Sequence, residues 1–202
     1  MSVFSVSRRM LLGFAAASAC VLALAACGKS DSSVAFKGSD ISGTQLGKGL
    51  ALNDHNGQPR TLKDFAGKVM VVFFGFTQCP DICPTSLAQL AQVMQTLGDD
   101  AQRVQVLLIT VDPERDTPEV LKEYVTAFDP RFLGLTGMPE QIRQAAASFK
   151  AYFAKVPKDD SYSMDHTAAF YIFDGQGESR VLVNNTAPIA DIVHDIRALL
   201  GK

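Results

Sequence analysis

Two long apolar runs set the pattern of hydrophobic and polar positions along the chain. "KVMVVFFGFT" (68–77) and "RVQVLLITVD" (103–112) are nearly unbroken and rich in β-branched residues. Such runs are typical of strands that are buried on both faces in the middle of a sheet. Two further segments predict β-hairpins: "LALNDHNGQPRTL" (50–62), which turns at Asn-Gly, and "AAFYIFDGQGESRVLVN" (168–184), which turns through "DGQGE".

Helical periodicity fills most of the chain between these strands. Apolar residues recur every three or four positions, and Asp116 and Thr117 are expected to cap one of the helices. "FLGLTG" and "AYFAKVP" predict short strands, and "YSMDHT" (162–167) predicts a loop. This order of elements indicates an α/β, thioredoxin-like fold: a mixed central sheet with helices on both faces and an N-terminal β-hairpin addition. We expect helices over 84–98, 116–128, 139–150 and 187–202.

The composition fits a folded protein and argues against one class of partner. The chain has 202 residues, of which 47% are hydrophobic and 20% are charged, and these proportions are typical of globular domains. The net charge of -2 leaves no basic excess to neutralise phosphates. We therefore expect no nucleic-acid partner.

The N-terminal residues have the pattern of an export signal. Arg8 and Arg9 precede an apolar stretch that ends at "LAAC", whose last residue is Cys27. This resembles a bacterial lipoprotein signal, in which the cysteine is lipidated and becomes the first mature residue. "SRRMLLG" also resembles a twin-arginine export signal. An uncleaved membrane helix is the alternative, although the stretch is short for a span.

These observations divide the chain into three parts. We expect a lipoprotein-type signal peptide over 1–26 and a lipid anchor on Cys27. Residues 27–46 are rich in Gly and Ser and predict a flexible tether, and residues 47–202 form the expected thioredoxin-like domain. The domain is then exported and held at a membrane.

Export limits what the four cysteines can do. Cys20 leaves with the signal and Cys27 carries lipid, so Cys79 and Cys83 remain in the domain. They lie in "FTQCPDICPTS", between a buried strand and the start of a helix, where partial positive charge favours thiolates. Two thiols at this spacing can form a disulfide after local unwinding, attack a partner's disulfide, or hold a metal ion. The thioredoxin redox motif has two residues between its cysteines. Three intervening residues increase the distance between the two sulfurs, which favours binding of a metal ion.

A third ligand has to come from elsewhere, and the chain has three histidines. His55 lies in the polar turn "NDHNGQ" and is expected to be exposed, and His194 lies off the apolar stripe of the last helix. His166 precedes a buried strand in "MDHTAAFYIFD", which in a thioredoxin-like sheet lies beside the reactive helix. Two thiolates and an imidazole suit copper, because Cu(I) accepts three ligands, whereas structural zinc usually takes four.

Three segments resemble the Sco/SenC family of copper-binding thioredoxin-like proteins. "FFGFTQCPDICPTSL", "ITVDPERDTPEVLKEY" and "MDHTAAFYIFDGQG" are similar to that family's sequence blocks and occur in the same order. The resemblance implies that Cys79, Cys83 and His166 are copper ligands. Asp112, at the end of a core strand, and Asp81, between the cysteines, are then candidates for partner docking or for tuning the site.

The same resemblance implies a function and a location. It implies a membrane-tethered copper chaperone that delivers one copper ion to the binuclear copper centre of cytochrome c oxidase subunit II, or to another exported copper protein. It also implies a lipoprotein at the periplasmic face of the inner membrane. The alternative is an enzyme, a thiol–disulfide oxidoreductase in which Cys79 and Cys83 reduce the cysteines of that copper site or of other exported proteins. The two activities are compatible, although a redox pair has no need of His166.

Overall fold

The computed structural model describes residues 35–201. The predicted signal peptide (1–26), the predicted lipidation site Cys27 and the first part of the predicted tether lie outside the described residues. A compact unit begins at Phe36. Within residues 35–201, no helix is both long enough and apolar enough to span a membrane.

The described residues form ten strands in two sheets. The strands are β1 (Ser39–Asp40), β2 (Leu52–Asp54), β3 (Pro59–Arg60), β4 (Val69–Gly75), β5 (Val104–Thr110), β6 (Leu133–Thr136), β7 (Phe153–Lys158), β8 (Ser161–His166), β9 (Ala169–Phe173) and β10 (Ser179–Asn184). The larger sheet has the order β1-β10-β9-β4-β5-β6-β2-β3, and β7 and β8 form a separate pair. β4, β5 and β6 are parallel and the other pairs are antiparallel. The sheet is therefore mixed, as predicted.

The α-helices lie close to the segments that periodicity predicted. They are α1 (Ile82–Leu97), α2 (Pro118–Thr126), α3 (Pro139–Ser148) and α4 (Ile189–Leu199). Two 3-10 helices, Leu62–Phe65 and Gly98–Arg103, complete the helical elements of residues 35–201. α1 begins two residues before the predicted start, which brings Cys83 into its first turn.

The two long apolar runs form the centre of the core. Every residue of β4 and β5 is buried. Successive side chains along a strand point to opposite faces. Phe74 packs against Phe149, just after α3, with 5.2 Å between ring centroids, whereas the next position, Gly75, faces the thiol of Cys83 in α1. α1 and α3 therefore cover opposite faces of the sheet, which confirms the predicted fold class.

The segment "YSMDHT" is a strand, and the prediction of a loop there was wrong. β8 pairs with β7 along its length and places His166 opposite Phe153. The segment does alternate, since Tyr162, Met164 and His166 occupy every second position. Serine and aspartate fill the positions between them. Because aspartate is uncommon in strands, the alternation did not indicate a strand. His166 is therefore held by a paired strand rather than by a loop.

Residues 36–46 were predicted to belong to a flexible tether, but the structure attaches them to the domain. β1 pairs with β10, and the backbone N–H groups of Lys37 and Gly38 each donate to the carboxylate of Asp195 in α4 at 2.8 Å. A side chain at Gly38 would lie 2.6 Å from Val181. Glycine here permits close approach of two strands, which composition alone does not distinguish from flexibility.

We expect Asp195→Asn to release this N-terminal strand locally, because the amide keeps one acceptor oxygen for two backbone donors. Loss of a charge-assisted hydrogen bond, worth about 1.5–3 kcal/mol, should speed hydrogen–deuterium exchange at Lys37 and Gly38 by roughly 10- to 100-fold. Asp191→Asn removes the same charge from α4 without touching these bonds and should leave exchange unchanged. Equal exchange in all three proteins would contradict the attachment.

Candidate metal centre

The segment that follows β4 supplies two cysteines to one side of the candidate site. Both are free thiols; Cys79 is half-buried in the loop and Cys83 is fully buried in the first turn of α1. The backbone N–H of Cys83 donates to Sγ of Cys79 at 3.4 Å, which places partial positive charge beside that sulfur. A side chain at Gly75 would lie 3.0 Å from Sγ of Cys83. The bare backbone at the end of β4 therefore lets Cys83 pack this close to the sheet.

β8 supplies His166 from the other side. Its Nε2 lies 3.5 Å from Sγ of Cys83, and its ring makes edge-to-face contacts with Phe73 and Phe76, each with 5.9 Å between centroids. Nδ1 lies 3.1 Å from the carbonyl oxygen of Thr167. Because a carbonyl only accepts hydrogen bonds, we assign the proton to Nδ1, and Nε2 then presents its lone pair toward the cysteines.

These three side chains form a compact set of ligands. The ligand atoms of Cys79, Cys83 and His166 all lie within 4.8 Å of one another, and no other cluster of this kind occurs within residues 35–201. An ion about 2.0–2.3 Å from each donor can bridge such a triangle after small side-chain movements. Two thiolates and an imidazole suit soft ions, Cu(I) above all. The donor set therefore fits copper.

Cys79 and His166 line a solvent-open cavity of about 490 Å³. One wall is the cysteine loop and the start of α1, and the other is the segment around β7 and β8. The cavity is lined by Phe76, Cys79, Pro80, Asp81, Ile82, Tyr152, Ser163, Met164, Asp165 and His166. Cys83 lies behind this lining, so a bound ion is reached from the side of Cys79 and His166.

Burial sets the protonation of Cys83 and of His166. Burial raises the pKa of the Cys83 thiol, and charge on Cys79 acts in the same direction. Burial lowers the pKa of His166, and the hydrogen bond to Thr167 opposes this only in part. Both groups are therefore neutral at neutral pH without a metal. An incoming ion has to displace the proton of Cys83, whereas His166 is already in its ligating form.

A buried carboxylate fixes the cysteine loop, a role that the local sequence pattern did not indicate. Asp116 accepts hydrogen bonds from the N–H of Thr77 at 3.1 Å and from the hydroxyls of Thr77 and Thr110 at 2.6 Å each. Burial raises the pKa of Asp116, and these threonine bonds oppose the shift. The helix cap is its neighbour Thr117, which accepts from the N–H of Val120 at 3.3 Å. The sequence does contain a signal for this role, because Thr110 ends the apolar strand β5 and Thr77 follows the end of the adjacent strand β4.

Asp112 lies in the interior rather than at a docking surface. Its side chain is 1% exposed; it accepts from the guanidinium of Arg115, and from the hydroxyl of Tyr162 at 2.9 Å. The guanidinium also stacks on the Tyr162 ring, 3.8 Å from its centroid. These contacts tie β8 to the loop after β5. The geometry supports a role in positioning the strand that carries His166, and it leaves the carboxylate no free surface.

Asp81 occupies the entrance of the cavity. It is exposed, precedes the first residue of α1, and lines the cavity together with Cys79. Its side chain makes no capping hydrogen bond to the helix backbone. Its carboxylate accepts a hydrogen bond from the hydroxyl of Thr85 at 3.4 Å, and its exposure leaves it accessible to an approaching molecule.

The other two histidines lie away from the cluster. The prediction of an exposed His55 was wrong: it is 8% exposed, its Nδ1 accepts from the N–H of Gly134 at 3.2 Å, and burial lowers its pKa. The turn folds back against β6, which places this side chain in the interior. His194 is exposed on α4, as predicted, with its Nδ1 2.9 Å from the carboxylate of Asp195.

The fold and the residue cluster together define a thioredoxin-like protein with a candidate metal centre of two cysteines and one histidine. The family model for SCO1/SenC matches residues 39–201. The chain therefore belongs to the SCO1/SenC family, and the resemblance found in the sequence is confirmed.

Several known proteins are similar to this chain over most of its length. The mitochondrial protein SCO2 homolog of Mus musculus is 41% identical over 157 residues, which are 75% of this chain and 62% of that protein. The structure of Bradyrhizobium japonicum ScoI with copper bound is 38% identical, with a TM-score of 0.69, and the match covers 82% of this chain and 99% of that one. BsSco, described as having a disulfide switch and as a member of the Sco family of cytochrome c oxidase assembly proteins, is 26% identical, with a TM-score of 0.63, over 80% of this chain and 96% of its own. The matched segment thus spans less than two thirds of the mouse protein.

Substitutions at the neighbouring residues Asp116 and Thr117 should distinguish support of the cysteine loop from capping of α2. We expect Asp116→Ala to leave the donors of Thr77 unsatisfied, to lower the free energy of unfolding by about 1–3 kcal/mol, and to speed exchange of the Thr77 amide. Thr117→Ala should cost about 1 kcal/mol through the lost cap and leave that amide protected. Denaturant unfolding and hydrogen–deuterium exchange measure both effects. Equal protection of Thr77 in the two variants would show that Asp116 does not hold the loop.

Proposed function

We propose that this protein is a copper metallochaperone. It binds one copper ion through Cys79, Cys83 and His166 and delivers it to the binuclear copper centre of cytochrome c oxidase subunit II, or to another exported copper protein. The observation that carries the proposal is the convergence of these three side chains, within 4.8 Å of one another, at an open cavity. The copper ion is the cargo, and the chain supplies its ligands.

Each ligand has a distinct part in loading. Cys79 is the accessible sulfur, and the N–H of Cys83 that points at it favours negative charge there. His166 offers Nε2, and its bond to the carbonyl of Thr167 fixes the ring orientation. Cys83 releases its proton when the ion arrives, since a metal binds the thiolate and not the thiol. The buried position of Cys83 then shields the ion on the side of the sheet.

The relatives support the choice of metal and partner. ScoI from Bradyrhizobium japonicum has been solved with copper bound, and BsSco belongs to a family of cytochrome c oxidase assembly proteins. The donor set of this chain matches such a role, because two thiolates hold Cu(I) and an imidazole also accommodates Cu(II).

A thiol–disulfide oxidoreductase is the second candidate. The 3.4 Å contact from the N–H of Cys83 to Sγ of Cys79 favours it, and so does the disulfide switch described for BsSco. The thiolate of Cys79 would attack a partner's disulfide, and Cys83 would then resolve the mixed disulfide. The partner gains two electrons and leaves as a dithiol, and the Cys79–Cys83 pair is oxidised. This chemistry does not require His166.

Copper titration of single variants tests the ligand set. We expect the reduced wild-type domain to bind one equivalent of Cu(I) under anaerobic conditions, in competition with a chromophoric chelator. Cys79→Ser and Cys83→Ser should abolish tight binding, and His166→Ala should weaken it at least about tenfold, because each removes a ligand. His194→Ala, an exposed histidine on α4, is the matched control and should bind as wild type does.

The titration also separates the two candidate functions. Absence of tight copper binding by the wild type, or wild-type affinity in the three ligand variants, would contradict the chaperone. The reduction potential of the Cys79–Cys83 pair would then be the property that matters.

We also propose that the protein is an exported lipoprotein, anchored through Cys27 at the periplasmic face of the inner membrane. Support comes from the "LAAC" sequence that ends the apolar stretch of residues 10–26. Cys27→Ser should move the protein from the membrane fraction to the soluble fraction if the signal is still removed, because the lipid attachment site is lost. Cell fractionation with a blot checks this. Continued lipid labelling of the variant would contradict the anchor.

A further inference from the structure

The rim of the metal cavity carries exposed apolar side chains. Ile82 and Tyr152, 46% and 63% exposed, both line it. The exposed carboxylates Asp81 and Asp165 line it as well. Each wall thus supplies one apolar side chain and one carboxylate: Asp81 and Ile82 stand at the start of α1, and Tyr152 and Asp165 stand on the side of β7 and β8. The exposed large apolar side chains of residues 35–201 are Ile82, Val120, Met138 and Tyr152.

The two carboxylates give the mouth of the cavity a negative charge. They are the only aspartate, glutamate, lysine or arginine side chains in its lining. Neither Asp81 nor Asp165 forms an ion pair within residues 35–201. A Cu(I) ion held by two thiolates adds a net negative charge. An anionic ligand that approaches from solvent is therefore repelled.

The apolar surface continues from Ile82 into a groove along α1. This groove of about 690 Å³ lies between the first half of α1 and the segment that leads into α4. In its lining, Nε2 of Gln89 donates to the carbonyl of Ala187 at 2.6 Å, and Oε1 of Gln89 is buried with no partner in the described chain. An extended peptide that leaves the cavity can lie along this groove, although the buried oxygen of Gln89 is not accessible to it.

We propose that this rim is the docking surface for a copper acceptor of one chemical kind: a polypeptide loop whose thiols are flanked by lysine or arginine residues. The inference rests on the proposed function and extends it to the choice of partner. The basic side chains meet Asp81 and Asp165, and the apolar part of the loop covers Ile82 and Tyr152. The same carboxylates disfavour small anionic thiols such as glutathione, which would otherwise remove the ion.

Transfer at this rim is a ligand exchange with no change of oxidation state. Each incoming thiol releases a proton as its sulfur binds Cu(I), and the bonds from copper to Cys79, Cys83 and His166 break. Cys79 and Cys83 each take up one proton, and His166 is released as a neutral imidazole with no proton change. Cys79 lines the cavity and is exchanged before Cys83, which lies behind the lining.

Two synthetic peptides test the charge requirement. Both carry a Cys-Ala-Ala-Ala-Cys core, with paired lysines at each end in one peptide and paired glutamates in the other. We expect the lysine peptide to take Cu(I) from the loaded wild-type protein about tenfold faster at low ionic strength, with the difference shrinking in high salt. In the double variant Asp81→Asn, Asp165→Asn the ratio should fall to about twofold or less.

A control variant removes the same charge elsewhere. Asp99 is exposed just beyond the carboxyl end of α1, about 25 Å from Asp81 at the rise of an α-helix. Asp99→Asn should keep the ratio of the wild type, because a charge at this distance is screened.

The apolar contacts are tested by the same transfer assay. Ile82→Ser and Tyr152→Ser should slow transfer to the lysine peptide several-fold. They should not slow transfer to cysteamine, a cationic thiol too small to cover the rim. Met138→Ser removes an exposed apolar side chain that does not line the cavity, and it should leave both rates unchanged.

The copper affinity of every protein is measured before the kinetics, which separates two kinds of failure. A wild-type protein that does not bind copper overturns the proposed function and this inference together. Normal copper binding with equal rates for the two peptides overturns the docking surface alone. A charge preference that survives in the double variant, or disappears in Asp99→Asn, also overturns it.

Discussion

The candidate site depends on one contact, in which Sγ of Cys83 and Nε2 of His166 meet at 3.5 Å although 83 positions separate the two residues in the chain. The sheet makes this contact possible. β4 and β9 are antiparallel neighbours, so the carboxyl end of β4 lies beside the start of β9. The cysteines follow the first of these strands and His166 shortly precedes the second. Without this arrangement the two cysteines would be a dithiol at the start of a helix, with no third ligand.

The loop between β5 and α2 supports both halves of the site. Asp116 in this loop holds the backbone and hydroxyl of Thr77, just before the cysteines. Asp112 accepts hydrogen bonds from Arg115 and Tyr162. Because Tyr162 lies in β8, these bonds also fix the strand that carries His166. Two buried carboxylates four residues apart therefore fix the distance between the thiols and the imidazole. Because the support comes from within the fold, the ligands need little rearrangement to close on an ion, and the exposed rim stays free for a partner.

The sequence predicted the elements whose signal is local. Continuous apolar runs indicated β4 and β5, and periodicity indicated the four α-helices of residues 35–201. A strand buried on both faces and an amphipathic helix both produce a pattern in neighbouring residues. It failed where a residue's environment is set by distant contacts. β8 is paired through polar residues that favour loops, His55 is buried because its turn folds onto β6, and Gly38 serves close packing against Val181. The cysteine pair was evident from its spacing. Asp116 looked like a helix cap because it stands just before a helix, whereas its actual partners, Thr77 and Thr110, lie outside that helix and leave no local signal.

X-ray absorption at the copper edge of the loaded, reduced domain tests the central claim most directly, because it counts the atoms bound to the ion. We expect two sulfur neighbours and one imidazole nitrogen in the wild type. We also expect loss of the imidazole signal in His166→Ala with both sulfurs retained. A copper ion surrounded by nitrogen and oxygen alone, or an unchanged imidazole signal in that variant, would contradict the assignment of Cys79, Cys83 and His166 as the ligands.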